Sequence, residues 1–147
     1  MQSLFNEKTY TETLDRIRNL NSNSERLWGK MSVGQMLWHC QYPLKIAIKN
    51  KESKKRGNFF IRLFIKKSMY NDKAWRKSLP TAPALKTKEE KEMEVEAEKL
   101  KLLITEFHAL NKRKKWYPHP IFGVLTHEQW GKMQYKHLDH HLKQFGV

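Results

Sequence analysis

The chain has 147 residues, 39% of them hydrophobic and 30% charged, with five Trp, seven Phe and five Tyr, which excludes a disordered polymer and gives a single domain over 1–147 enough apolar material for a core. Lys and Arg number 29 against 15 Asp and Glu, a net charge of +14, so the partners to weigh are anionic: nucleic acid, a membrane surface or a charged small molecule. One cysteine, Cys40, excludes an internal disulfide framework and points to a reduced, cytoplasmic chain; Met1-Gln2-Ser3-Leu4-Phe5 lacks the basic-then-apolar order of a signal peptide, and no apolar run is long enough to span a bilayer.

A first helix is predicted over 9–19, starting between Asn6 and Thr9, with Tyr10, Leu14, Ile17 and Leu20 at helical spacing. Ser32-Val33-Gly34-Gln35 reads as a capping box: the hydroxyl accepts from an early backbone N–H while the Gln side chain reaches back. It opens a second helix over 33–49, with Val33, Met36, Leu37, Cys40, Leu44, Ala47 and Ile48 on its apolar stripe. Pro43 lies inside that helix and takes away the usual donor to the His39 carbonyl, so a bend is expected near His39.

The connection that follows is long and basic. From Leu44 to Lys77 twelve Lys and Arg face only Glu52 and Asp72. Phe59, Phe60, Phe64, Tyr70 and Trp75 are interleaved with them, a pattern compatible with phosphate contacts and base stacking. Their spacing is helical, however, as for core or lid residues, and no nucleic-acid module accompanies them. The segment therefore reads as a solvated surface that attracts anionic ligands at most. Within it, residues 58–67 are predicted as a short amphipathic helix, and Leu79-Pro80-Thr81-Ala82-Pro83-Ala84 as extended chain.

Thr87-Lys88-Glu89-Glu90 reads as a second capping box and opens a third helix over 88–110, with Met93, Ala97, Leu100, Leu103, Ile104 and Phe107 inward. After the basic run Lys112-Arg113-Lys114-Lys115 and a Pro-rich loop, Thr126-His127-Glu128-Gln129 opens the last helix, 127–144. Trp130, Met133, His137, Leu138, His141 and Phe145 face inward there. No run alternates far enough to predict a sheet. The expected fold class is all-α: a four-helix bundle with one short extra helix between its second and third helices.

The histidines carry the chemistry. His137 and His141 are four apart, so a helix stacks them on one face with a rise of about 6 Å, and both imidazoles can lean toward one divalent metal. His137 and His140, three apart, are also a workable pair. A third ligand must come from elsewhere, and His39 on the second helix is the candidate. Gln35 and Gln144, each near a proposed ligand, can orient an imidazole or a water, or stay solvated. His119, in a loop, can approach the open end of the site. His108 and His127 read as surface residues, and Cys40, rotated about 100° from His39, as core.

Three stretches together resemble the DinB/YfiT-like superfamily of metal-dependent enzymes, in one of its uncharacterised bacterial branches: Trp28-Gly29-Lys30-Met31-Ser32-Val33-Gly34-Gln35-Met36-Leu37-Trp38-His39-Cys40, His119-Pro120-Ile121-Phe122-Gly123-Val124-Leu125-Thr126 and His137-Leu138-Asp139-His140-His141-Leu142-Lys143-Gln144-Phe145. The resemblance covers essentially the whole chain. It implies a four-helix bundle with one metal-binding histidine on the second helix and an H-x-x-x-H pair on the last, which falls on His39, His137 and His141. It favours His141 over His140, which it leaves at the rim. Many relatives continue the pair as H-R-G-Q. Here His141-Leu142-Lys143-Gln144 keeps the Gln but not the Arg or Gly, so the triad is intact and the substrate need not be theirs.

Characterised relatives include thiol-dependent transferases and isomerases. The resemblance thus implies an enzyme in which zinc or nickel, held by three histidines, activates a thiol or water, with a thiol transferase favoured slightly over a hydrolase. A small-molecule substrate, including a low-molecular-weight thiol, is the expected partner, and a homodimer stays open. The competing readings are a basic nucleic-acid-binding helical protein and a bundle without catalysis.

Overall fold

The computed structural model describes residues 2–53, 59–78 and 85–147, and the predicted extended stretch 79–84 lies outside them. Four helices carry the fold: α1 (Glu7–Arg18), α2 (Val33–Lys49), α3 (Met93–Ala109) and α4 (His127–Gln144). No strand occurs among the described residues; His119 and Gly123 form one isolated antiparallel bridge. Each helix packs against two others, in the cyclic order α1, α3, α2, α4.

The helix starts follow from local hydrogen bonding. Asn6 caps α1 by accepting from the Thr9 N–H at 3.2 Å. Both halves of the capping box form at Ser32–Gln35 and at Thr126–Gln129, so α2 and α4 begin and end where their sequences predict. α2 runs through Pro43 with its helical assignment unbroken.

The start of α3 departs from expectation. The box Thr87–Glu90 does not form, and the helix begins five residues late, at Met93, after Glu92, which makes no side-chain cap. The groups that would build it are used by α2 instead. Gln35 Nε2 donates to the Glu89 carbonyl at 3.2 Å, and the Ser32 hydroxyl lies 3.4 Å from the Glu90 carboxylate. The Lys91 carbonyl presses on Gly34 so closely that a Cβ there would sit 1.9 Å from it. Tertiary contact thus overrides a local signal worth about 1 kcal/mol.

The core fills the centre of this ring. Leu14 and Ile17 of α1, Met36, Leu37 and Leu44 of α2, Leu100, Ile104 and Phe107 of α3, and Trp130, Leu138 and Leu142 of α4 are all buried. One polar tie crosses α2 and α3. Gln41 Nε2 donates to Glu96 Oε2 at 2.6 Å, and Lys99 Nζ pairs with Glu96 Oε1 at 2.8 Å. Burial works against ionisation of Glu96, but Lys99, Gln41 and Lys45 together hold its carboxyl below the usual range.

The extra helix between α2 and α3 is irregular. It comprises a π-helical turn Ile61–Ile65 and a 3₁₀ turn Lys66–Met69; Asn58, at the predicted start, lies outside the described residues. This segment docks on α4 and brings the following residues over the site.

Candidate metal centre

α2 presents His39 and α4 presents His137 and His141 to one point. The three ring centroids form a nearly equilateral triangle, with 5.0 Å between His39 and His137, 4.7 Å between His39 and His141, and 4.8 Å between His137 and His141. One nitrogen from each ring lies within 4.8 Å of the others.

Hydrogen bonds fix the tautomers of two rings. His39 Nδ1 is 3.0 Å from the Leu85 carbonyl, which can only accept, so Nδ1 carries the proton and the Nε2 lone pair is left. Gln144 Nε2 donates to the Trp28 carbonyl at 2.7 Å, which turns its Oε1 to His141 Nδ1 at 3.0 Å. His141 Nδ1 is therefore also a donor, and its Nε2 is the free base. This is how ligand imidazoles are oriented in metalloproteins: the far N–H donates to a carbonyl and the other nitrogen binds.

His39 Nε2 and His137 Nε2 stand 3.0 Å apart. Two nitrogens bound tetrahedrally at about 2.0–2.1 Å would be separated by about 3.3 Å. His137 Nδ1 is buried with no hydrogen-bond partner among the described residues. Two ring nitrogens as close as the Nε2 pair must share either a proton or a cation between them, and the convergence of the third imidazole on the same point is compatible with a cation.

Burial keeps all three rings neutral. It lowers His39, against the Leu85 carbonyl that favours protonation. It takes His137 well below the ordinary value, helped by the charges that His141, His39 and His140 would carry, and pushes His141 down to about 3. Neutral imidazole is the form that coordinates a metal.

The other residues named from sequence are divided. Gln144 is buried and touches His141, as expected of an orienting group. Gly29 makes this possible: its φ is +83°, and a Cβ there would lie 2.5 Å from Gln144 Nε2. His140 sits at the rim, its ring 5.9 Å from Trp28 and 5.5 Å from Trp75. Gln35 is occupied at the α2 cap and at Glu89, not at an imidazole.

His119 is placed away from the open end of the site. Its ring packs on Phe122 and on Trp130, and Trp130 precedes His137 by seven residues, about 10 Å of helix. Its Nδ1 accepts from the Ile121 and Phe122 N–H groups at 3.0 and 3.2 Å, and burial pushes it down to about 4. It is a turn-holding residue. His108 and His127 are also more than surface residues: His108 stacks on Tyr10 and hydrogen-bonds the Leu4 carbonyl, and His127 stacks on Phe5. Cys40 is buried against Met36, and burial raises its thiol far above the ordinary value.

Three contributors were not named as site residues from the sequence. The Leu85 carbonyl is backbone. Trp75 lies 6.0 Å from the His137 ring, and its indole N–H donates to the Ser68 carbonyl at 2.8 Å. Lys136, beside His137 in sequence, ties the 68–71 segment to α4 and lies 5.6 Å over the Trp75 ring. Its ammonium donates to the Ser68 carbonyl at 2.7 Å and to the Asn71 carbonyl and side chain at 2.9 and 2.7 Å. Of the interleaved aromatics, Trp75 is the one placed beside these histidines.

A family described as protein of unknown function (DUF1569) matches residues 4–146. No curated protein and no solved structure matches the chain.

Proposed function

The chain belongs to the DUF1569 family, and from its histidine cluster we propose that it is a metal-dependent enzyme of DinB/YfiT-like type, a single four-helix bundle over 1–147 in which His39, His137 and His141 hold zinc or nickel. The observation that carries this reading is the convergence of three neutral imidazoles, two with tautomers set by Leu85 and Gln144. Such an ion, when bound by three neutral ligands, keeps its positive charge and an open position, and lowers the pKa of a thiol or water there.

The chain's own residues supply the rest. Leu85 and Gln144 orient the ligands. Trp28 and Trp75, both packed against His140, supply apolar surface beside the site. Lys77, 4.7 Å above the Trp28 ring, adds positive charge near that surface and favours an anionic or thiolate-bearing substrate. Asp139 is held by Arg16 at 2.9 Å and Lys143 at 2.8 Å, so it is not the base. A thiol transferase is favoured over a hydrolase on the resemblance, not on the geometry.

The test is to assay metal-loaded protein with low-molecular-weight thiols plus electrophiles, and separately with esters and amides. Activity in one assay, abolished in His141→Ala together with metal retention, is the expected result. A variant that loses the metal and keeps full activity would show that the metal is not catalytic.

A further inference from the structure

Scattered exposed apolar side chains are ordinary, but a contiguous group of them is not. On the irregular helix and the two helical residues that lead into it, Phe59, Phe60 and Phe64 are 69%, 66% and 69% exposed, and Ile65 is exposed as well. The 119–124 loop adds exposed Ile121 and Val124. The two pieces form one surface. Phe59, Arg62, Lys66 and Phe122 line a shared cleft of about 260 Å³, and Lys66 Nζ donates to the Val124 carbonyl. The rings are mutually packed: Phe59 and Phe60 meet edge to face at 5.9 Å, and Phe60 and Phe64 lie nearly parallel at 6.4 Å.

The charge around this patch has one sign. Arg62, Lys66 and Lys67 are interspersed with the rings, and residues 59–71 and 116–125 contain no Asp or Glu. An occupant must therefore be apolar and anionic at once. A second copy of a +14 chain would bring these same cations face to face. A nucleic acid would use ring faces for stacking, but half of the exposed apolar side chains here, Ile65, Ile121 and Val124, are aliphatic and offer no stacking. An anionic bilayer surface satisfies both requirements, with apolar side chains entering the acyl boundary and Lys and Arg at the headgroups.

We propose that the Phe59–Phe60–Phe64–Ile65 face and the Ile121–Val124 loop form a docking surface for an anionic lipid membrane. This is independent of the metal reading, since no triad residue takes part. No helix of the described residues is long and apolar enough to cross a membrane, so the attachment is peripheral.

The experiment is co-sedimentation of the full chain with equimolar phosphatidylglycerol/phosphatidylcholine vesicles and with pure phosphatidylcholine vesicles. The mixed vesicles should bind it and the neutral ones should not, and added salt should weaken the binding. Phe60→Ser with Phe64→Ser should weaken it by roughly a hundredfold, about tenfold per ring, and Lys67→Gln by about fivefold. Leu102→Ser, at an equally exposed position on α3, should leave it unchanged. Because these side chains are outside the core, thermal midpoints near wild type will show that the variants are folded. No binding to mixed vesicles, or binding indifferent to the two Phe substitutions, overturns the proposal. So does a ring-dependent complex with single-stranded oligonucleotide, or a ring-dependent dimer, in a chain that ignores vesicles.

Discussion

Gln144 shows how much of the site depends on a single amide. Its nitrogen is committed to the Trp28 carbonyl, so its oxygen must take the His141 N–H, and the imidazole is left with one usable lone pair. Gln144→Ala should keep the fold yet weaken zinc affinity about 10- to 100-fold, measured by competition with a chromophoric chelator. An affinity equal to wild type would mean that His141 is oriented by packing alone. The sequence carried the three histidines in two ways: helical spacing put His137 on a face with His141 but left His140 open as well, and the family resemblance singled out His141 together with His39; the structure brings these three together. The Leu85 carbonyl was not legible, since it is backbone reaching the site from a Pro-containing connection with no periodicity, and Trp75 stood only as one of several aromatics open to a core or lid role. His119 misled for the same reason. A loop histidine has no face, and only the turn that returns Gly123 to it shows that its Nδ1 is occupied by two backbone donors.

Among the elements, α2 and α4 obeyed their local signals and α3 did not. In the first two, the cap hydroxyl and the Gln three residues after it complete both halves of the capping box, and the helices begin at Val33 and His127. At α3 the approach of α2 decides. The 89–91 backbone serves as an acceptor for Gln35 and packs on Gly34, and a helix begun at Lys88 would have needed the Glu89 carbonyl for itself. Gly34→Ala therefore should lower stability by about 1–3 kcal/mol in chemical denaturation, because its Cβ would meet backbone that cannot rotate aside. A loss no larger than that of an ordinary surface substitution would mean that the helices separate freely here, and the explanation for the late start of α3 would be lost. The irregular helix near residue 60 was anticipated as amphipathic, but its aromatic face turns to solvent. Spacing identifies a face without saying what covers it.

At the scale of the molecule, the neutral histidines couple folding to pH. His119 and His141 titrate in the unfolded chain near 6.5 but in the folded chain near 4 and 3, and His39 and His137 are shifted in the same direction. Between those values the unfolded state binds protons that the folded state refuses, so stability falls as pH drops below about 6.5 and levels off only below the folded values. The thermal midpoint should therefore decline steadily from neutral pH toward pH 4, and less steeply in His119→Gln, whose amide oxygen can accept the turn N–H groups without titrating. A midpoint that rises on acidification would contradict the buried, neutral assignment. Bound metal acts in the same direction, because protonated imidazole cannot coordinate. The central claim, that four helices exist in this arrangement to bring three imidazoles onto one cation, is tested most directly by elemental analysis. The chain, prepared without an affinity tag, offered zinc or nickel and then desalted, should retain about one divalent ion per molecule, while His141→Ala with an unchanged helical circular dichroism spectrum should retain far less. Wild-type protein that holds no more metal than His141→Ala would contradict it.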